Sequence, residues 1–381
     1  MPVAFPQRRV AELDGLRGAA VLFVLIHHYV LREGATAPGS AASFLQRFAS
    51  LGWTGVDLFF VLSGFLIGGI LMDARLSPSY FKTFYVRRFF RIIPIYYLWI
   101  VCYIGLVAFA RPFLSSLSPL GRAASADFSV YAHFAFLQNV GIVHLKGLAG
   151  VWLNPAWSLA VEEQFYLVAP LVIRLVSPRR LLLFLVAVIA CVPLLRLALL
   201  QLVRAEPVLV FGLMPSRADA LALGMVAALL WRSDSARAWL SANSWILYCF
   251  LALLFLGVAA RWSWVSMPLT FGMQSVGYTW MALLYVVILL LALAELKGPV
   301  AKLMRLRWLR EIGCVSYCMY IIHTAVNGGC HAVLLHAKPR ISNWQGAAVT
   351  ICAAVLTYGI AKLSWIFVER PLLRLGHTFR Y

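Results

Sequence analysis

Apolar residues gather along the whole chain in runs of about 20, separated by short polar segments. Twenty residues at 1.5 Å each cover a hydrocarbon core of about 30 Å, so runs of this length predict transmembrane helices. The predicted spans are 13–32, 52–72, 92–110, 157–176, 181–203, 208–231, 245–261, 272–294, 312–335 and 347–368. Segment 128–145 is too polar to count as another. The expected fold is all-α, a polytopic transmembrane bundle of about ten spans forming one domain over residues 1–381, with no visible repeat or separate soluble domain.

Composition agrees with this pattern. The chain is 62% hydrophobic and 12% charged, against roughly 45–50% and about 25% in soluble domains, which excludes a water-soluble globule. Lys and Arg outnumber Asp and Glu by 33 to 14. In a soluble protein that excess would suggest nucleic acid as a partner. Here it follows topology instead. The segments on one side of the predicted membrane hold 20 basic residues and those on the other hold 9, with Arg17, Arg196, Arg217 and Lys362 inside spans. The positive-inside rule then places both termini in the cytoplasm, and no loop is long enough for a nucleic-acid-binding domain. The first run lacks a small-residue cleavage site and carries Arg17, His27 and His28, so it reads as a retained span, not a signal peptide. The seven cysteines lie in apolar runs without metal-ligand spacing and read as small core residues; no metal site is expected.

Ionisable groups near mid-bilayer cost from about 2.5 kcal/mol upward and mark function when they face a cavity. Arg17 and His28 are 11 residues apart, within about 20° of whole helical turns and roughly 16 Å along the axis, so they share a face. His27 points about 80° away from Arg17 and reads as a bystander. Asp14, three residues before Arg17, can orient its guanidinium. In WSLAVEEQFY, Glu162 and Glu163 lie about two turns below the outer surface, near the expected depth of His28. They differ by 100° around the helix, and Glu162 is read as the inward one, able to orient or charge-balance the imidazole.

Four further segments carry polar residues with competing readings. In YVRRFFRIIP, Arg88 and Arg91 share a helical face at the inner boundary, either as lipid anchors or as a grip on the phosphates of coenzyme A. In GVDLFFVLSGFLIGG, Gly55, Gly64, Gly68 and Gly69 suit close helix approach and a narrow cavity wall, while Asp57 either pairs with an arginine, serves an acceptor site or bonds a helix end. In SRADALALG, Arg217 and Asp219 form a structural ion pair or line the pocket. His323 in VSYCMYIIH reads first as a satisfied core histidine.

These segments together resemble the acyltransferase-3 family of bacterial membrane O-acyltransferases. ELDGLRGAAVLFVLIHHY, GWTGVDLFFVLSGFLI, RRFFRIIP, PAWSLAVEEQFYLVAP, SRADALALG, GCVSYCMYIIH and FVERPL occur in the family's order between residues 12 and 372. The resemblance implies that the essential histidine is His28, that Arg17 precedes it by the family's spacing, that the basic pair is Arg88 and Arg91, and that the acidic position is Glu162. It further implies a multi-pass protein of the bacterial inner membrane, with acyl-CoA (most often acetyl-CoA) as co-substrate, no tightly bound cofactor, and a glycan or glycoside acceptor. Some members carry an esterase-like periplasmic domain after the membrane part; the sequence stops at Tyr381, so a stand-alone member without that domain is expected.

The expected chemistry is therefore O-acylation. Donor phosphates lie near Arg17, Arg88 and Arg91, and His28 acts as general base or transient acyl carrier with Glu162 orienting it. Two other classes compete: a secondary transporter whose intramembrane His, Glu and Arg form a proton relay, and a non-catalytic sensor or scaffold.

Overall fold

The computed structural model describes residues 10–30, 41–110, 130–141, 153 and 155–381. Most of the loop 111–156 lies outside the described residues. The described part of segment 128–145 forms two short helices, Val130–Phe134 and Gln138–Gly141. Among the described residues the chain is helical, without strands. Eight helical segments are long and apolar enough to cross a membrane: Ala11–Val30, Ser43–Asp73, Tyr80–Gly105, Ala156–Leu175, Pro178–Gln201, Met273–Ala294, Arg307–Leu335 and Trp344–Thr378. A ninth arises if Asp234–Ala242 and Ser244–Ala260, bent by 73°, count as one span. The chain is thus a multi-pass helical membrane protein.

The expected span 208–231 is not one helix. It divides into Pro207–Gly212, a 3-10 turn at Pro215–Arg217 and Ala218–Arg232. Pro207 and Pro215 each start a short helical element, where the missing N–H does no harm, and each breaks continuity with what precedes it. The remaining 15-residue helix rises only about 22 Å.

The chain forms two compact units interleaved in sequence. The first comprises Met1–Val21, Trp53–Tyr80 and Val161–Cys314. Helices are numbered α1 (Ala11–Val30), α2 (Gly55–Asp73), α3 (Tyr80–Ala110), α4 (Ala156–Leu175), α5 (Pro178–Gln201), α6 (Ala218–Arg232), α7 (Arg307–Leu335) and α8 (Trp344–Ser364). In the first unit α2 crosses α6 at a glycine contact. A Cβ on Gly64 would strike the carbonyl of Leu221, and one on Gly224 would strike that of Val61. Gly68 and Gly69 meet the side chains of Met225 and Arg232. The glycine face expected to wall a cavity is therefore filled by α6, as small residues in membrane helices permit.

The second unit comprises Leu22–Gly52, Phe81–Ala160 and Val315–Tyr381. Its helices are joined by buried hydroxyl groups. Tyr29 donates to the carbonyl of His323 (3.1 Å) and accepts from Thr357 (2.8 Å), and Tyr317 donates to the carbonyl of Ile92 (2.9 Å). Seven free cysteines are present, of which Cys102, Cys191, Cys249 and Cys352 lie on exposed helix faces. Those four are outward-facing, not the core residues that composition suggested.

Candidate active site

In the second unit His28 meets His323. The Nδ1 of His28 lies 3.0 Å from the carbonyl of Val24 and 3.1 Å from Nε2 of His323. The Nδ1 of His323 lies 2.7 Å from the carbonyl of Tyr320. A carbonyl only accepts, so His323 carries its proton on Nδ1 and, when neutral, offers Nε2 as an acceptor. Two acceptors then face Nδ1 of His28, which places its proton there and leaves Nε2 as the basic nitrogen. The assignment follows from the hydrogen-bond network. His323 itself is fully buried, and Tyr29, which bonds its backbone, packs beside its ring at 6.2 Å between centroids. His27 turns to another partner, the carbonyl of Ala49 at 3.1 Å, as its separate helical direction requires.

The other acid–base candidates are in the first unit. Glu162 accepts from Ser63 (2.7 Å) through Oε1 and from Tyr166 (3.2 Å) through Oε2. Two donors, one on each carboxylate oxygen, hold its orientation. Arg17 pairs with Asp14 at 3.0 Å, one turn away on α1, as the three-residue spacing predicts.

Asp57, Arg217 and Asp219 are fully buried, but Arg217 and Asp219 are not partners of each other. Arg217 pairs with Asp57 and stacks over the ring of Tyr278, 4.0 Å from its centroid. Asp219 pairs instead with Arg196 at 2.9 Å and accepts from Thr279 at 2.5 Å. Arg196 also donates to the carbonyls of Ser216 (2.8 Å) and Ser275 (3.1 Å) and to Thr279 (2.7 Å). Arg217 ends the 3-10 turn whereas Asp219 lies in the first turn of α6, and the two take different partners. The complete burial and double pairing make this a structural knot at the start of α6.

Arg88 and Arg91 are half-buried on α3, in the second unit, near the C-terminal residues. Arg87 beside them donates to the carbonyl of Phe379 at 2.9 and 2.6 Å and lies 5.0 Å over the ring of Tyr381. Burial pushes the Tyr381 hydroxyl above its ordinary value, while the positive charges of Arg88 and Arg87 pull it down. Arg91 lies within electrostatic reach of Glu369. Among the described residues no three His, Cys, Asp or Glu side chains converge to hold a metal ion.

Sequence reasoning missed Arg196 as a site of interest, although a lone arginine within VPLLRLALL is the signal that intramembrane cost should raise. It also missed Ser63, Tyr166 and the contact of His323 with His28, which no local spacing encodes.

Comparison with known proteins adds an independent line. The acyltransferase-3 model, an acyltransferase domain, matches residues 10–364. The peptidoglycan O-acetyltransferase OatA of Listeria monocytogenes is 28% identical over 388 aligned residues, covering 98% of this chain and 57% of that protein. The putative peptidoglycan O-acetyltransferase YrhL of Bacillus subtilis is 27% identical, covering 97% and 56%. The O-acetyltransferase OatA of Staphylococcus aureus is 26% identical, covering 98% and 58%. The chain therefore spans little more than half the length of these relatives. No solved structure matches it.

Proposed function

The chain belongs to the acyltransferase-3 family, and from that membership we propose that it moves an acetyl group from cytoplasmic acyl-CoA to a hydroxyl of a cell-wall glycan. By their names, the Listeria monocytogenes relative is a peptidoglycan O-acetyltransferase and the Bacillus subtilis one a putative peptidoglycan O-acetyltransferase. The observation that carries the catalytic part is the placement of two acceptors on Nδ1 of His28.

With its proton on Nδ1, His28 takes the acceptor hydroxyl's proton on Nε2. The acceptor oxygen attacks the thioester carbonyl, the new C–O bond forms, the C–S bond breaks, and the imidazolium returns the proton to the departing thiolate. In the covalent variant, Nε2 attacks the thioester carbonyl and the C–S bond breaks with release of the thiolate; the acceptor oxygen then takes the acyl group as the N–C bond breaks, its proton passing through the freed Nε2 to the thiolate. His323 accepts from Nδ1 in both, stabilising the tautomer and the imidazolium, much as a carboxylate does in a hydrolytic triad. Glu162, with its carboxylate fixed by Ser63 and Tyr166, is the second catalytic group in this reading. Arg88 and Arg91 receive the phosphates of the donor.

The reaction is placed at the bacterial inner membrane. Ten crossings, with α6 and its preceding helical turns completing the count, put both termini in the cytoplasm by the distribution of basic residues. Thioester consumption by the purified chain, with and without peptidoglycan fragments, tests the function. Acyl-CoA consumption coupled to O-acetyl product, abolished in His28→Ala, is expected. Transport of a solute without thioester cleavage would overturn it.

A further inference from the structure

At the end of α7 the second unit carries a cavity of about 470 Å³, within the range of small-molecule clefts. His331, Lys338, Arg340, Ser342, Asn343 and Gln345 contribute to its lining. Among the described residues, none of those lining it is acidic. It is shaped by a tight reversal. His336 takes a left-handed conformation (φ 50) after the last turn of α7, an arrangement uncommon for a non-glycine residue. Asn343 then caps α8, its side-chain oxygen accepting from the N–H of Gly346 at 2.8 Å. A Cβ on Gly346 would strike the carbonyl of Arg340, so a glycine is needed for that carbonyl to pack against the first turn of α8.

The floor of the cavity supplies a second observation. His331 is fully buried. Its Nε2 is held by Thr350 at 2.9 Å, and its Nδ1 has no hydrogen-bond partner among the described residues. His323, Asn327 and His331 follow one another at intervals of four, which puts them on one side of α7 as a buried polar stripe. The Oδ1 of Asn327 likewise has no hydrogen-bond partner among the described residues. A buried polar atom left unpaired costs about 1–3 kcal/mol, so the two on His331 and Asn327 favour a polar partner. The stripe ends at His323, which contacts His28. Eight residues, or about 12 Å, separate the two ends.

We propose that this cavity is an acceptor subsite for an oxyanion-bearing saccharide, with Lys338 and Arg340 meeting the anionic group and the buried His331 donating from its floor. The inference rests on the glycan-acceptor reading above and names the class of glycan. Two cations without a counter-charge in the lining select an anion, while Ser342, Asn343 and Gln345 supply the neutral donors and acceptors that hydroxyl-rich sugars require. On the topology proposed above, the cavity opens on the outer face, where a cell-wall glycan lies. A lipid phosphate offers the same charge, so the test separates the two.

The full chain in phosphatidylcholine nanodiscs is titrated with a disaccharide of N-acetylglucosamine and N-acetylmuramic acid, which carries a carboxylate, and with chitobiose, which is neutral. The exposed side chains of Lys338 and Arg340 allow Lys338→Gln and Arg340→Gln without disturbing packing. We expect the anionic disaccharide to bind more tightly than chitobiose, each substitution to weaken it about tenfold, and chitobiose to be unaffected. Equal binding of both sugars, no binding of either, or wild-type affinity in the double variant would overturn the subsite. So would displacement of the anionic disaccharide by phosphatidylglycerol in the nanodisc, which would assign the cations to a headgroup. Acetyl transfer measured in the same preparations keeps the two ideas apart. Transfer with an unchanged acceptor KM in the double variant removes the subsite and leaves the function. Saccharide binding that depends on Lys338 and Arg340, without any thioester consumption, removes the function and leaves the subsite.

Discussion

The Nδ1 of His28 lies 3.1 Å from Nε2 of His323 across 295 residues of sequence, with the proton of each ring held by a neighbouring carbonyl. If this contact sets the tautomer of His28, His323→Ala should lower kcat by about 10²-fold, the lower end of what a general base contributes, and leave the donor KM unchanged. His323→Gln, whose amide oxygen can accept from Nδ1 of His28, should restore part of the loss. A residue that merely fills the core would show neither the split between kcat and KM nor the rescue.

His27 provides the matching control. Its ring is tied to the carbonyl of Ala49 at 3.1 Å, a contact that joins α1 to the helix Ala41–Ser50. His27→Ala should keep most of the activity and lower thermal stability by about 1 kcal/mol, the net value of one hydrogen bond. Loss of transfer equal to that of His28→Ala, at normal expression, would contradict the separation of the two faces.

The buried charges at the start of α6 make a different prediction. Arg217 with Asp57, and Arg196 with Asp219, are each fully buried pairs. Removing one partner strands a charge, so Asp57→Ala or Arg196→Ala should destabilise the protein by about 3–5 kcal/mol. Replacing both members of a pair with apolar residues of similar volume, as in Asp57→Leu with Arg217→Met, should recover most of that loss. Unfolding in mild detergent, followed as a double-mutant cycle, reads the difference. Additive losses would mean that the pairs are not coupled.

The helical class and most long helices were legible in the sequence because a run of about 20 apolar residues has few alternatives to a membrane helix. The segment 208–231 was misjudged as continuous because apolar composition averages over Pro207, Gly212 and Pro215, which interrupt the backbone without changing hydropathy. Of the site, the tie between Asp14 and Arg17 was legible because helical spacing fixes it locally. The partners of Asp57 and Asp219 were not, since they are set by how α2, α5 and α6 cross, and that depends on the close approach at Gly64 and Gly224. His323 looked like a core histidine for the same reason: its partner is distant in sequence, and burial alone does not distinguish a packed ring from one that holds another.

Topology is open to direct labelling. The proposed orientation, drawn from the positive-inside rule, has the basic segments 73–91 and 297–311 in the cytoplasm. A cysteine introduced at Lys302, which is exposed, in a background with the exposed native cysteines replaced by serine, should react with a membrane-impermeant maleimide only after the membrane is opened. Labelling in intact spheroplasts would reverse the orientation and move the cavity beside Arg340 to the donor side.

Donor binding isolates the role of Arg88 and Arg91. Both are half-buried on α3, close to the C-terminal residues, and the neighbouring Arg87 is already committed to the carbonyl of Phe379. Coenzyme A carries several phosphate charges, and a guanidinium meets such oxygens through paired donors that an ammonium does not reproduce. If these arginines grip the donor, Arg88→Ala and Arg91→Ala should each weaken acyl-CoA binding by about 1–3 kcal/mol, the range of a charge-assisted hydrogen bond. Lysine at either position should recover only part of it. Arg87→Ala should instead loosen the C-terminal segment, visible as faster proteolysis near residue 379, with donor affinity largely retained. A lipid anchor would behave otherwise, since lysine serves a headgroup interface nearly as well as arginine. Calorimetry on detergent-purified variants separates the cases: unchanged acyl-CoA affinity in both alanine variants would leave Arg88 and Arg91 as anchors and move the donor's phosphates elsewhere.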